Sequence, residues 1–319
     1  MLGFKNVVSV DIGSSLIKLV QVSKSGGKIR LDKVGIVDNP AASFRTGSQR
    51  INKGVIAQAI KHSLRKIHIK AKDAVSSLNG PSIITQYFKF PPLSGKELES
   101  AVNLEIQRVM LGRLNEVETD FQVLPQSKQK YGKQNILFVA VPKLMVRQRM
   151  ETLQQAGLNP IAIDTDCLAL ANCFLRLKNL ALQEDVMVLN LGTRLINLVV
   201  LGKESIYFIR DINLGLESPL DLKDKGVLGR IIEEIRRSIH YHENRGKKNR
   251  VATIFVTGGN APSLETSDSF LKDLELPVEK WNPLEDIEFD SLKLGSGFTQ
   301  STGYLLAIAM GLGLREKQE

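Results

Sequence analysis

The chain has 319 residues, of which 43% are hydrophobic and 24% charged, and it carries a net charge of +9 with a pI near 9.4. This is an ordinary globular composition, long enough for two cores. Aromatics make up 6% with no stacking motif set among basic residues, which argues against nucleic-acid recognition; the longest apolar stretch, YLLAIAMGLGL at 304–314, is too short to span a bilayer.

Residues 7–22, VVSVDIGSSLIKLVQV, predict a strand over Val7 to Val10, a turn at Gly13, Ser14 and Ser15, and a second strand over Leu16 to Val22. An ordinary hairpin turn accounts for this pattern. So does a phosphate cradle, in which small residues open backbone N–H groups to an anion and Lys18 adds a charge. A third strand, KIRLDKVGIVD, follows, then a helix at 54–67, GVIAQAIKHSLRKI, and a strand at 74–80, AVSSLNG.

From Pro81 to Ile163 the chain changes character. Strand SIITQYFKF leads to a helix with Ser94 as N-cap and Glu97 at its third position, then strand DFQVLPQ, turn SKQKYGKQN, strand ILFVAVP and helix KLMVRQRMETLQQAG. Together these predict a compact α+β insertion. The next helix, DTDCLALANCFLRLK at 164–178, carries both cysteines. Cys167 and Cys173 lie on different faces and suit buried, reduced thiols in the cytoplasm. Residues 1–6 lack the apolar core of a signal peptide.

The second half opens by repeating the first. DVMVLNLGTRLINLVVLGK at 185–203 aligns with 7–24 at an offset of 179, setting Gly13 on Gly192, Ser14 on Thr193 and Asp11 on Asn190. Each copy runs into a third strand, SIYFIRDINLG in the second. VLGRIIEEIRRSIHYHEN then predicts an amphipathic helix, VATIFVTGGNAPSL a buried strand, double glycine and helix start, and TQSTGYLLAIAMGLG a closing helix. The basic stretches KHSLRKIHIKAK at 61–72 and RRSIHYHENRGKKNR at 236–250 read as solvated helix ends complementing the helix dipole. The four histidines, at 62, 68, 240 and 242, lack metal-ligand spacing.

Two Gly-containing hairpins and one strand–Gly-Gly–helix turn suit two facing domains clamping a nucleotide. The constellation resembles the actin-like ATPase fold of actin, the Hsp70 chaperones and sugar kinases. Its first phosphate loop, D-x-G-x-x-x-x-K, is met by Asp11, Gly13 and Lys18. The second loop departs, with Asn190 where Asp is usual, before Gly192 and Thr193; the adenosine turn is met by Thr257, Gly258, Gly259 and Asn260. Within that fold the chain resembles the PilM family of type IV pilus assembly. DIGSSLIKLVQVS, LNGPSIITQYFKFPPLSGKEL, VETDFQVLP, FVAVPKLMVRQRMETLQQAGLNPIAID, EEIRRSIHYHENR, TGGNAPSL, LPVEKWNPL and AIAMGLGLR carry the resemblance over nearly the whole length. After Glu105, IQRVMLGRL departs from the family's aromatic-containing run.

The resemblance implies an α/β actin-like fold with two similar domains around a nucleotide cleft. The first domain spans 1–80 and 164–184, an SHS2-like α+β insertion 81–163, and the second domain 185–319 with a helical segment near 213–250. It implies ATP and Mg²⁺ as cofactors. Asp11 holds the metal through water, Ser14, Ser15 and Lys18 the β-phosphate, and Gly192 and Thr193, beside Asn190, the outer phosphates. Glu234 and Arg237 flank the adenosine, and Gly258 and Gly259 let the backbone pass the base and ribose. Asp166 lies where relatives orient the attacking water, although a helix N-cap accounts equally for Asp164 or Asp166.

The implied partner is the cytoplasmic N-terminal tail of a PilN-like membrane protein, with other platform and motor proteins. Self-association is also compatible, nucleic acid is not implied, and the membrane is met only through partners at the inner face of the inner membrane. The expected function is an ATP-binding scaffold with at most weak ATPase activity. A turning-over ATPase or sugar kinase is one alternative, though no substrate aspartate stands out in the insertion. The division protein FtsA is another, but it carries a C-terminal amphipathic membrane helix, and this chain closes on GLGLREKQE.

Overall fold

The computed structural model describes residues 6–25, 27–42, 53–124, 134–178, 184–202, 205–216, 224–244, 250–264, 272–290, 294 and 298–315. Most of the expected turn at 127–135 and much of the segment 213–250 outside its helix lie beyond them. The first meander is β1 (Val7–Ile12), β2 (Leu16–Ser25) and β3 (Lys28–Asp38), followed by helix α1 (Lys53–Lys66) and strand β4 (Asp73–Leu78). β5 (Ile84–Phe90), α2 (Gly95–Met110), β6 (Val117–Val123) and β7 (Gln134–Pro142) come next, then α3 (Lys143–Gln155), β8 (Asn159–Thr165) and α4 (Asp166–Leu177). The second meander is β9 (Asp185–Leu191), β10 (Ile196–Gly202) and β11 (Ser205–Ile212). α5 (Lys225–Glu243), β12 (Val251–Thr257), β13 (Val278–Lys280), β14 (Glu288–Phe289) and α6 (Ala307–Gly313) follow among the described residues.

Three sheets result, ordered β14-β3-β2-β1-β4-β8, β11-β10-β9-β12-β13 and β5-β7-β6. The near-continuous Val/Ile/Leu runs of β1, β9 and β10 are what strands buried on both faces require. The repeat is exact in register. Asp11 pairs with Lys18 and Ile12 with Ile17 across β1 and β2; Asn190 pairs with Asn197 and Leu191 with Ile196 across β9 and β10.

The sheets divide the chain at other points than the bounds 81–163 and 185–319 read from the sequence. The insertion's own sheet ends with β7. Helix α3 contributes Leu153 to the core of the first sheet, and β8 joins that sheet parallel to β4. The chain also returns at its end: β14 pairs with β3, and α6 packs on α4, β1 and β2. Local pattern cannot reveal this, because an apolar strand does not announce which sheet it will join.

Two smaller expectations change. Ser94 occupies the N-cap of α2, but its side chain makes no capping bond; only its carbonyl accepts, from Glu97 N–H at 3.3 Å. The closing helix forms in two pieces, a 3-10 segment Gln300–Leu305 opened by a Thr299–Thr302 capping box, then α6. Both cysteines are buried and neither is in a disulfide, as expected.

Helix α4 lies between the two large sheets. Cys167, Leu170, Cys173, Phe174 and Leu177 share one core with Val20, Leu31 and Val34 of the first sheet and Val188, Val199 and Leu201 of the second. α6 crosses it so closely that a Cβ on Gly311 would stand 1.8 Å from the Ala169 carbonyl oxygen, while Asn172 donates to the Gly311 carbonyl at 2.6 Å. Gly311→Val should therefore force the helices apart and cost roughly 2–3 kcal/mol or more, seen as a lower urea midpoint. Gly229→Ala, on α5 with nothing within 4 Å of a new Cβ, should leave stability unchanged or raise it by about 0.5–1 kcal/mol.

Candidate functional site

The tips of the two meanders meet. Gly13 N–H closes the first turn on the Leu16 carbonyl at 3.0 Å, and Gly192 N–H closes the second on Leu195 at 3.1 Å. Ser14 Oγ lies 2.6 Å and Ser15 Oγ 2.9 Å from Thr193 Oγ1. Residues that the repeat equates thus touch across the cleft. At the base of the first tip, Lys18 Nζ donates to buried Asp11 at 3.0 Å. Asn39 clamps the tip from β3, donating to the Gly13 carbonyl at 2.7 Å and, through its N–H, to Ser15 O at 2.7 Å.

The symmetry is broken in charge. Where the first hairpin sets an ion pair, the second sets two amides: Asn190 donates to Asn197 at 2.8 Å, and Asn197 donates to Asp211 of β11 at 2.8 Å. Asp211 also accepts from Cys167 Sγ at 3.1 Å and from Gly80 N–H at 2.8 Å. Burial and the neighbouring Asp211 hold the Cys167 thiol well above its usual range, so it stays a protonated donor.

The turn at Thr257 to Asn260 closes the other side. Gly258 has φ +99°, a conformation L side chains rarely adopt, and a Cβ there would come 2.6 Å from Leu191 N and 2.8 Å from Asn190 Oδ1. Its N–H, like the Thr257 hydroxyl, donates to the Tyr304 carbonyl, and Asn260 donates to Leu216 O at 2.9 Å. Glu234 and Arg237 sit apart from these loops in their bonding. Glu234 accepts from Arg210 at 2.6 Å and from Arg237 at 2.9 Å, and among the described residues neither bonds to either hairpin.

Asp166 is the first residue of α4 and is buried, but it is not the cap. Thr165 is the N-cap, its hydroxyl accepting from Leu168 N–H at 3.4 Å; Asp164 instead pairs with Arg315. Both N-cap assignments for the aspartates are corrected. A threonine between two aspartates hides this in the sequence, since all three side chains cap well. Asp166 accepts from Ser77 Oγ and from Asn79 Nδ2, each at 2.5 Å. Burial first, then the Asp11 carboxylate, pushes it up to about 7. Asn39, Asn79, Asn197 and Asp211 escaped the sequence reading. Only Asn197 had a usable signal, the same 179-residue offset that matches it to Lys18.

The residues at the hairpin tips suit a phosphate-bearing ligand. They supply a lysine ammonium, three hydroxyls and small-residue turns. Among the described residues no cluster of three or more His, Cys, Asp or Glu side chains forms a metal cage. A single buried carboxylate is enough for Mg²⁺ that keeps its water and rides on phosphates.

A concavity of about 620 Å³ lies between the insertion and the first sheet. Asp120 and Phe121 of β6, Val139 of β7, Asp164 of β8 and Leu175 and Arg176 of α4 line it. β6 and β8 are edge strands of their sheets. The wall toward the cleft is shared. Ser77 pairs with Asp164 and Leu78 with Thr165 in the β4–β8 register; Leu78, Asp164 and Thr165 line the groove, while Ser77 donates to Asp166 at the head of α4.

A family model described as type IV pilus assembly protein PilM matches residues 9–218. A chain of a solved PilM–PilN type IV pilus biogenesis complex superposes with a TM-score of 0.82 at 23% identity, covering 99% of each chain. The ethanolamine utilization protein EutJ of Carboxydothermus hydrogenoformans follows at 0.49, with 13% identity over 96% of this chain and 88% of that one. The cytoplasmic domain of EpsL of the Vibrio cholerae type II secretion system stands at 0.46, with 12% identity over 95% and 94%. The expected actin-like fold is the observed one.

Asp166 makes the ligand-free protein pH-sensitive. Its folded pKa of about 7 lies above its ordinary 3.8, so the folded state holds the proton more tightly. That contribution is complete below pH 4 and lost as pH rises through 7, at up to about 1.4 kcal/mol per pH unit. Between urea midpoints taken at pH 5 and pH 8, Asp166→Asn should gain on the parent protein; a constant gap would refute the assignment.

Proposed function

The chain belongs to the PilM family of type IV pilus assembly proteins, and from that premise we propose that it is a nucleotide-binding scaffold holding the extended N-terminal tail of a PilN-like partner. The groove between the insertion and the first sheet carries the reading. It is apolar at its floor, charged at its rim and bordered by two edge strands, which suits an extended peptide by strand addition or groove capture. In the solved complex whose chain superposes on this one, PilM is paired with PilN. Among the described residues no helix is long and apolar enough to cross a membrane, in keeping with a cytoplasmic protein brought to the inner membrane by its partner.

ATP with Mg²⁺ is the ligand proposed for the cleft. Lys18, Ser14, Ser15 and Thr193 would hold phosphates, Asp11 the waters of the metal, and the 257–260 turn the nucleoside. Thr193 bonds directly to both serines, so phosphates seated between the tips would replace these bonds. When bound, Mg²⁺ neutralises phosphate charge.

The chain's own residues favour holding over turnover. Asn190 and Asn197 supply neutral amides where a carboxylate would help place a cation, and both oxygens of Asp166 are engaged by Ser77 and Asn79. Asp166 is thus proposed to fix the β4–α4 junction rather than to aim a water. Because that junction is also the groove wall, closure of the cleft can bias the groove by a coupling of roughly 1–3 kcal/mol without hydrolysis.

Calorimetry with Mg-ATP and with a PilN-like N-terminal peptide tests both ligands. Lys18→Ala should weaken ATP at least tenfold, about 1.4 kcal/mol, and spare the peptide measured without nucleotide. Val139→Asp should do the reverse. ATP affinity unmoved by Lys18→Ala, or peptide affinity unmoved by Val139→Asp, would remove the corresponding half of the reading. Steady-state phosphate release should stay far below about 1 s⁻¹ with and without peptide; a rate above that, abolished by Asp11→Ala, would restore the enzyme.

A further inference from the structure

The two basic stretches that look alike in sequence differ in the folded protein. In the second, the two arginines on the described helix are answered. Arg236 donates to the Asp273 carbonyl and to Glu275, Arg237 pairs with Glu233 and Glu234, and His242 Nε2 lies 2.8 Å from Asp185. In the first the cations are not. Arg65, Lys66, Lys70 and Lys72 are exposed and Lys61 is half-buried, and among the described residues none of the five forms an ion pair or side-chain hydrogen bond. Residues 53–72 contain six Lys and Arg and no Asp or Glu, so this short stretch holds charge equal to two-thirds of the net +9.

The exposed acid of α3, which packs on α1, is Glu151, and none of the five cations forms an ion pair with it. Arg147 is the exposed cation of the same helix and is itself without an ion pair among the described residues. Asp73, the nearest acid in sequence, accepts from Asn159 at 2.8 Å. Helix-dipole complementation explains Arg65 and Lys66 in the last turn of α1, but not Lys70 and Lys72, which lie beyond the helix on the approach to β4. The patch sits at the N-terminal ends of β4 and β8. The cleft and the groove are built at their C-terminal ends, by Ser77, Asn79 and Asp164 to Asp166. The patch is therefore at the opposite pole of the first sheet and stays open when either ligand is bound.

We propose that this face binds the headgroups of an anionic lipid bilayer. A cluster of four to eight Lys and Arg with no acids among them is the pattern that an anionic membrane surface attracts. No Phe, Tyr or Trp stands between 53 and 72, and the rings there are only the imidazoles of His62 and His68, which disfavours single-stranded nucleic acid. Ile67 and Ile69, the apolar residues of the loop, are half-buried against the first core, so no hydrophobic wedge enters the bilayer and the attachment is electrostatic and reversible. It revises the expectation that the membrane is met only through partners. A weak lipid contact joined to a tail-bound membrane protein would raise the residence of both through effective concentration. The inference itself does not require the tail or the nucleotide.

The test is co-sedimentation of the full chain, without nucleotide or peptide, with vesicles of phosphatidylcholine alone or with about one-third phosphatidylglycerol. Binding is expected only to the anionic vesicles at about 50 mM salt, and its loss by about 0.5 M, where the Debye length falls to a few ångström. Lys61→Gln/Arg65→Gln/Lys66→Gln/Lys70→Gln should weaken it at least tenfold. A control with the same charge change on exposed cations elsewhere, Lys89→Gln/Lys96→Gln/Arg230→Gln/Lys272→Gln, should change it less than threefold. Absence of binding by the unmutated chain at low salt would overturn the proposal, as would equal losses in the two variants. Tighter, patch-dependent binding to an RNA or DNA oligonucleotide than to the vesicles would replace it with a nucleic-acid surface.

Discussion

Everything in this molecule hangs on a helix that cannot choose a side. Most helices bury one stripe and wet the other. α4 buries residues around its circumference, because one sheet covers it from each direction and α6 crosses it at near-backbone contact. Removing it from water requires both sheets at once, so the two halves are not separable cores joined by a linker. The same burial dictates chemistry at its first residue. An aspartate placed there is stripped of water and must be held by Ser77 and Asn79, and its proton is retained to about neutral pH.

From this helix the groove and the residues gathered at the hairpins follow as neighbours of one junction. The ends of β4 and β8 run into the N-terminus of α4, and alternation along a strand sends neighbouring side chains to opposite faces. Ser77 therefore bonds Asp166 while its neighbour Leu78 lines the groove; Asp164 lines the groove too, and Asp166, two residues on, already belongs to helix α4. Asp211 fastens the junction to the second half, accepting from Gly80 on one side and from Asn197 on the other. An unbroken line of hydrogen bonds then runs from the second hairpin to the residue that precedes the insertion.

The duplication is faithful in backbone and altered in charge. Both hairpins keep the same register and closing bond, because those depend on the turn and the apolar alternation. The positions that face each other across the strands have diverged, to an ion pair in one copy and an amide pair in the other. A buried ion pair is held by its geometry and hydrogen bonds. A neutral pair can be paired just as fully but carries no field toward a cation. The fold thus retains two loops that can close on a ligand, with the buried Asp11–Lys18 ion pair at the base of only one.

Local order was legible in the sequence because it depends on near neighbours. The strands of both meanders, the helices α1 to α5, the turn at Gly258 and the pairing of the halves follow from apolar periodicity, small turn residues and a 179-residue repeat. So did most of the residues that converge on the cleft. What only the tertiary structure decided were matters of partnership across long separations. These include which sheet β8 and β14 would join, that Thr165 rather than either flanking aspartate caps α4, and that Asn39, Asn79 and Asp211 hold the site in place. The same holds for charge: of two stretches equally rich in Lys and Arg, one has its helix arginines paired, and in the other, among the described residues, Lys61, Arg65, Lys66, Lys70 and Lys72 have no ion pair. A sequence records the charge a residue carries, whereas its effect depends on which opposite charges the fold brings within reach.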